Sequence, residues 1–171
     1  MAGKIDWEQL AQQLGTLAPD GERGGSEVAQ QAIEALLGED ELRAAVDYYV
    51  CDGRGSQVAR SVLGLLRPWC AMQRCYEIYK SAAPMSDKEA AINLLCAIAD
   101  SRAIPWIDEF LADSEAGIQN WGVGVLDQLL WGGGVEEEEC AALLEVARHH
   151  SSHFVRERAA WIDNFLKRRK A

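Results

Sequence analysis

Residues 100–130, with the sequence DSRAIPWIDEFLADSEAGIQNWGVGVLDQLL, restrict the possible folds more than any other part of the chain. Asp100 and Ser101 can cap a helix start, and Pro105 falls in the first turn, where its missing N–H would have had no intrahelical partner. A helix is therefore predicted to begin near Arg102. Apolar residues then recur at steps of three and four, which predicts one buried stripe. The stripe consists of Ile104, Ile107, Phe110 and Leu111.

A second amphipathic helix is predicted directly after the acidic turn at residues 113–117. Its apolar face carries Ile118, Val125, Leu126 and Leu129, and three consecutive glycines at 132–134 end it. Gly122 and Gly124 inside this helix predict the close approach of a neighbouring helix. Two such helices form an antiparallel hairpin that cannot bury its apolar surface alone, so further hairpins are expected to stack on it. The residues expected to be buried include Ile104, Ile107, Leu111, Ile118, Leu126 and Leu129.

The rest of the chain predicts the same unit with less regularity. Helices are expected at 5–17, 27–37, 39–51, 55–66, 69–81, 86–99, 136–150 and 153–170, with a Gly-rich loop at 18–26. The predicted fold is all-α, a single domain over residues 1–171 with about ten helices and no sheet. Residues 1–25 hold the leading helix and the loop, and residues 26–171 hold the stacked hairpins. Trp7 and Leu10 are expected to cap the stack by packing on the 27–37 helix.

Residues 100–130 resemble a HEAT or HEAT-like repeat, which opens with an Asp-x-Arg-Ala-hydrophobic-Pro pattern. Asp100, Arg102, Ala103, Ile104 and Pro105 match that opening. The Val155-Arg156 and Ala159-Ala160 pairs match the pattern of the second helix, whereas residues 119, 122 and 123 depart from it. The resemblance implies a right-handed α-α superhelix whose second helices line a concave face. It implies a binding scaffold and no particular chemistry.

The charge of the chain limits the classes of partner. It carries 27 acidic and 17 basic residues, with a net charge of −10 at pH 7, so binding of nucleic acid through its phosphates is opposed by repulsion. The basic end, residues 167–170, is interpreted as a helix C-terminus that complements the helix dipole. The acidic run at Glu136–Glu139 is interpreted as a helix start, with a contact for a basic protein as the alternative.

The predicted location is cytoplasmic. No apolar run approaches the roughly 18 residues of a membrane span, and the start, MAGKIDWEQL, has no hydrophobic signal core. No membrane partner is therefore expected. The five cysteines have no metal-type spacing and are interpreted as small apolar core residues in a reducing compartment. They are Cys51, Cys70, Cys75, Cys96 and Cys140.

Catalytic and cofactor motifs are weak. His149 and His153 have the i,i+4 spacing that can place two imidazoles on one metal, but no third ligand motif accompanies them. Histidines that hydrogen-bond carbonyls at a helix end are the preferred interpretation. The segment at 52–56 has two glycines but no Gly-Lys-Ser/Thr ending, so it is interpreted as an interhelical turn. We therefore predict no enzyme activity, no cofactor and no metal.

The candidate binding residues combine the outward face of the second helices with nearby acids. The chain has six tryptophans, most of which are expected to bridge adjacent hairpins, while those on the concave ridge resemble a protein-binding hot spot. Arg67 and Asn164 belong to the same predicted ridge. The predicted partner-binding residues are Arg60, Asp108, Asp113, Asn120, Asp127, Trp131, Glu136, Glu137, Glu157 and Trp161.

Two functions fit these expectations. The first is a monomeric, acidic immunity-type protein that neutralises a basic toxic enzyme by covering its active site. The second is a HEAT-like scaffold or assembly factor that bridges protein partners, a group that includes the chromophore-lyase-like repeat proteins. The partner is expected to be a basic protein in the first case. The sequence does not name it in either case.

Overall fold

The computed structural model describes residues 5–19 and 21–170, and within these ranges the chain is all-α, as predicted. The ten helices described are α1 (Trp7–Gln13), α2 (Ser26–Leu37), α3 (Glu39–Val50), α4 (Ser56–Leu66), α5 (Trp69–Lys80), α6 (Met85–Ile98), α7 (Ile104–Ala112), α8 (Ala116–Trp131), α9 (Ala141–Arg148) and α10 (His153–Lys170). Two 3-10 turns, Ser101–Ala103 and Glu137–Cys140, lead into α7 and α9. None of the helices described is both long enough and apolar enough to cross a membrane.

The N-terminal region departs from the prediction in two ways. α1 is shorter than the predicted 5–17, because Asp6 caps its first turn and the chain turns at Gly15, whose φ is 64°. Inside the expected loop, β1 (Leu17–Ala18) pairs antiparallel with β2 (Gly21–Glu22). The prediction of no sheet is therefore wrong for this two-residue ribbon. Residues 1–4 and Asp20, which belong to the same predicted segment, lie outside the described residues.

The predicted cap at the N-terminal end forms only in part. Leu10 is buried, but Trp7 is 65% exposed, so most of the Trp7 side chain stays uncovered although it lies near the next helix. Both side chains line a shallow depression together with Val28 and Ala32 of α2. α2 itself has no buried residue and several of its apolar side chains stay exposed, so the cap covers little of this helix.

The helices from α3 onward pack as two layers of antiparallel pairs. Within each pair, α3 contacts α4, α5 contacts α6, α7 contacts α8 and α9 contacts α10. Between pairs, α4, α6, α8 and α10 pack side by side in one layer, while α3 contacts α5 and α7 contacts α9 in the other. This is the neighbour order expected of stacked hairpins. The right-handed superhelix stays a prediction.

The core runs between the two layers. Its largest fully buried side chains are Phe110, Leu63, Met72, Ile92, Leu94, Leu95, Ile98, Ile107, Leu111, Ile118, Leu126 and Leu130. Of the six residues predicted to be buried in 100–130, five are, and Ile104 is only half-buried. Ile104 is the first residue of α7, directly after the 3-10 turn, so the core does not enclose it fully.

An aromatic stack joins α5 to α7 in the first layer. Trp106 stacks on Trp69 with 5.4 Å between ring centroids, and on Tyr76 with 4.6 Å. The Arg102 guanidinium lies 5.0 Å from the Trp69 ring centroid, a cation–π contact. Trp69 and Trp106 therefore bridge adjacent hairpins, as expected of most tryptophans in the chain.

Gly122 brings α8 into direct contact with α7. A Cβ atom at this position would lie 2.5 Å from the Phe110 Cβ, which is too close for two non-bonded carbon atoms. At Gly124 a Cβ would lie 3.2 Å from the Cys96 Sγ on α6. The predicted close approach is confirmed, and it also draws α6 towards α8 on the layer that carries the candidate site.

Candidate functional site

The layer formed by α4, α6, α8 and α10 contains a polar depression of about 460 Å³. Three arginines contribute to it: Arg60 on α4, Arg67 at the end of α4 and Arg158 on α10. Asn93 from α6 and the α8 residues Trp121, Gln128 and Trp131 complete most of its wall. We call this depression the arginine groove. The lining residues described include no Asp or Glu, although the chain as a whole is strongly acidic.

Cys96 lines the arginine groove between two of its helices. Its Sγ lies 3.5 Å from the carbonyl oxygen of Trp121 and 3.6 Å from that of Ile92, so the thiol links α6 to α8. Burial raises the pKa of the Cys96 thiol to about 12, although the nearby Arg158 and Arg60 guanidinium groups act in the opposite direction. The Cys96 thiol is therefore neutral at pH 7 and packs between α6 and α8.

Alkylation of the native protein tests this assignment of Cys96. With iodoacetamide at pH 8, Cys96 is expected to react at least about tenfold more slowly than the exposed Cys51, since only the thiolate attacks. Peptide mass spectrometry at several times measures both rates in one sample. Comparable rates in the native protein would contradict the half-buried position of Cys96 between α6 and α8, and equal rates in urea provide the control.

Asp127 and Arg158 form an ion pair across α8 and α10. The Arg158 Nη1 donates to the Asp127 Oδ2 at 2.9 Å, and the Asp127 side chain is only 18% exposed. Asp127 was predicted to contact a partner, yet its carboxylate is already engaged by Arg158. The pair orients the Arg158 side chain beside the arginine groove. A contact between Asp127 and a partner stays a prediction.

Beside the groove, three large aromatic side chains are exposed on neighbouring helices. Trp131 at the end of α8 is 63% exposed, Phe154 on α10 is 65% exposed and Trp161 on α10 is 69% exposed. The Trp131 ring rests on Phe165, with 4.5 Å between centroids, which fixes its orientation. We call Trp131, Phe154 and Trp161 the aromatic surface. Arg158 lies between its two α10 members in the sequence and also lines the groove.

A second depression, of about 330 Å³, lies within this region. It is lined by Asn120, Phe154, Glu157, Arg158 and Trp161. Three predicted site residues, Asn120, Glu157 and Trp161, therefore share one surface. Arg60, Asp127 and Trp131 belong to the same helical layer. Six of the ten predicted residues thus come from the layer of second helices, as the repeat pattern indicated.

The other four predicted residues lie elsewhere. Asp108 is exposed on α7, and Asp113 follows α7, where its carboxylate accepts a hydrogen bond from the Tyr79 hydroxyl at 2.9 Å. Glu136 caps the 3-10 turn before α9 in a reciprocal arrangement with Glu139. Glu137 is half-buried in that turn. None of the four lines the arginine groove or the second depression, so the predicted acids do not form one site with the ridge.

Two important residues of this surface were missed by the sequence analysis. They belong to a series, Phe154, Arg158, Trp161 and Phe165, whose members are separated by four, three and four residues. This is the helical spacing, so all four lie on one side of α10. This spacing was available in the sequence. The HEAT-like pattern of this helix instead rests on Val155 and Ala159, which the structure buries.

The two histidines at the end of α9 form hydrogen bonds with backbone groups. The Ser152 N–H donates to His150 Nδ1 at 3.0 Å, so His150 Nε2 carries the hydrogen that bonds the Leu111 carbonyl at 2.8 Å. His149 Nδ1 lies 3.1 Å from the Glu145 carbonyl. The expectation of carbonyl-bonding histidines is confirmed for His149 and His150, whereas His153 makes no such bond in the described ranges. In the ranges that the structure describes, no three His, Cys, Asp or Glu side chains are grouped so as to hold a metal ion.

Comparisons with protein-family models, curated proteins and solved structures find no match to this chain.

Proposed function

We propose that this chain is a non-catalytic protein-binding module that engages its partner through the aromatic surface. The observation that carries the proposal is the exposure of Trp131, Phe154 and Trp161, each more than 60%, on two helices that pack together. Large apolar side chains grouped on a surface mark interaction sites, and tryptophan is enriched among the residues that dominate binding energy.

Polar groups surround these aromatics in the arrangement of a binding interface. Asn120 and Glu157 border Phe154 and Trp161, and Arg158 adds a guanidinium. Apolar anchors supply most of the affinity when water is excluded, and a polar rim supplies orientation and specificity. A protein surface of moderate curvature fits this arrangement better than a small molecule, because both depressions are wide and open.

We propose an immunity-type inhibitor of a basic toxic enzyme, acting in the cytoplasm, as the specific form of this function. The net charge of −10 supports it, since a strongly acidic protein attracts a basic one and accelerates the encounter. The basic character of the partner rests on this net charge alone.

A scaffold that bridges two partners, as in the chromophore-lyase-like repeat proteins, is the second candidate. It is favoured by a separate exposed apolar region at the other end of the chain, on α2 and α4, which pack together. The Gln30 amide of α2 donates to the Leu65 carbonyl of α4 at 2.8 Å. The exposed residues there are Ile33, Leu36, Leu37, Val58, Val62 and Leu65.

Capture followed by footprinting tests the proposal. The partner is captured from the native cell on the immobilised full-length chain, and hydroxyl-radical labelling of the side chains is then compared between the free chain and the complex. We expect protection of Trp131, Phe154 and Trp161, while Trp7, equally exposed at the other end, serves as the internal control. Protection of Trp7 alone would contradict the proposal.

The identity of the captured protein separates the two candidates. A single toxic enzyme whose activity the chain blocks decides for immunity. Two non-toxic proteins recovered together, with protection of both the aromatic surface and the exposed residues of α2 and α4, decide for the scaffold.

A further inference from the structure

Arg60 differs from every other half-buried arginine that the structure describes. Arg43, Arg74 and Arg148 are the other three, and each is paired with a carboxylate from another helix, namely Glu77, Asp47 and Asp163. The Arg60 guanidinium makes no hydrogen bond or ion pair within the described ranges. Its charge acts only at a distance, on the Tyr49 hydroxyl and the Cys96 thiol.

This exception concerns a chain rich in acids. Removing a charged group from water without a partner is unfavourable, so half-buried guanidinium groups are normally paired. With 27 acidic residues against 17 basic ones, a carboxylate facing Arg60 would be easy to supply. The arginine groove instead has three arginines and no acidic lining residue among those described. The unpaired guanidinium therefore points to a negative group that arrives from outside.

The rest of the groove indicates which anion fits. A guanidinium presents a planar fork of donors that matches a carboxylate in a bidentate arrangement. The Tyr49 hydroxyl donates to the Asn93 Oδ1 at 3.3 Å, which leaves the Asn93 amide hydrogens as further donors. Trp121 and Trp131 supply apolar walls on α8. A carboxylate on a short apolar stem matches this combination of donors and walls.

We propose that the arginine groove binds an acidic peptide segment of the protein partner, with a Glu or Asp carboxylate seated on Arg60. The inference rests on the proposed function, because the groove adjoins the aromatic surface at Trp131 and Arg158. A volume of about 460 Å³ accommodates a few side chains. A nucleic acid strand would extend beyond it and bring further phosphates against a chain of charge −10. An acidic segment within a partner that is basic overall would pair with the arginines of the groove, while the rest of that partner would be attracted by the net charge of −10.

Peptide binding to the full chain tests the inference without the natural partner. A fluorescein-labelled hexaglutamate peptide, followed by anisotropy at 20 mM salt, is expected to bind saturably, while a hexaglutamine peptide of the same length is not. Arg60→Gln is expected to weaken the hexaglutamate complex at least about tenfold, because a charge-assisted hydrogen bond is lost. Arg54→Gln, an exposed arginine in the turn before α4, makes the same charge change outside the groove and should alter binding by less than about twofold.

Several outcomes would overturn the inference. They are equal binding of hexaglutamate and hexaglutamine, equal effects of Arg60→Gln and Arg54→Gln, and tighter binding of a six-nucleotide DNA strand than of hexaglutamate. If Arg60→Gln does not fold, the two peptides on the wild-type chain still decide the question. Failure of the proposed function would give a different result. In that case hexaglutamate would still bind to the groove, but the aromatic surface would not be protected in the captured complex.

Discussion

Phe110→Ala is expected to lower the free energy of unfolding by about 3–5 kcal/mol, the largest effect of any single substitution considered. The Phe110 ring is fully buried and meets Tyr79 edge to face, with 5.0 Å between centroids. Gly122 brings the α8 backbone against it on the other side. Truncation would leave a cavity between two helices whose close contact prevents collapse around it, so the loss includes both transfer and cavity contributions.

Urea unfolding followed by circular dichroism measures this loss. Phe154→Ala is the matched control, because it deletes the same atoms from a residue that is 65% exposed and should cost less than about 0.5 kcal/mol. If Phe110→Ala cost under about 1 kcal/mol, the packing of α7 against α8 would be wrong.

The prediction of the central hairpin succeeded because its signals are local. The Asp100 carboxylate accepts from the Arg102 N–H at 2.9 Å, as a capping residue does, and the apolar stripes of α7 and α8 follow the helical repeat. The two glycines in α8 also fall where helices meet. Local capping and periodicity therefore suffice to place both helices, whereas the 3-10 turn before α7 has no separate sequence signal.

The N-terminal region was predicted less well because its structure depends on turn geometry. Gly15 and Gly21 adopt positive φ, and the pairing of Leu17 with Glu22 gives a ribbon with no alternating apolar pattern. Trp7 was expected to pack on the 27–37 helix because a terminal repeat must cap the core, yet its side chain is 65% exposed. The presence of one apolar residue in a sequence does not show whether the neighbouring helix has an apolar surface that would bury it.

The charge of the groove could not be predicted from the composition. Net charge sums over the whole chain, whereas the local charge depends on which acids are withdrawn into ion pairs. Arg74 and Asp47 are 27 positions apart, and Arg158 and Asp127 are 31 apart, so these pairings appear only in the folded chain. The same pairings leave Arg60 unmatched, which no count of residues could reveal.

Trp161→Ala is expected to weaken the complex with the captured partner by at least about 2 kcal/mol, or roughly 30-fold in Kd. Trp161 is the most exposed of the three aromatic surface residues and borders the second depression beside Phe154. A side chain that is 69% exposed contributes little to folding, so the melting temperature should change by less than about 2 °C. Loss of affinity without loss of stability is the signature of a binding residue.

Calorimetric titration of the purified partner into wild type, Trp161→Ala and Trp7→Ala tests the central claim most directly. Trp7 is 65% exposed on α1, so its substitution removes the same side chain from a comparable environment far along the chain. We predict that Trp161→Ala raises Kd by roughly 30-fold or more and that Trp7→Ala changes it by less than about twofold. An unchanged Kd for Trp161→Ala, or an equal rise for both variants, would contradict binding through the aromatic surface.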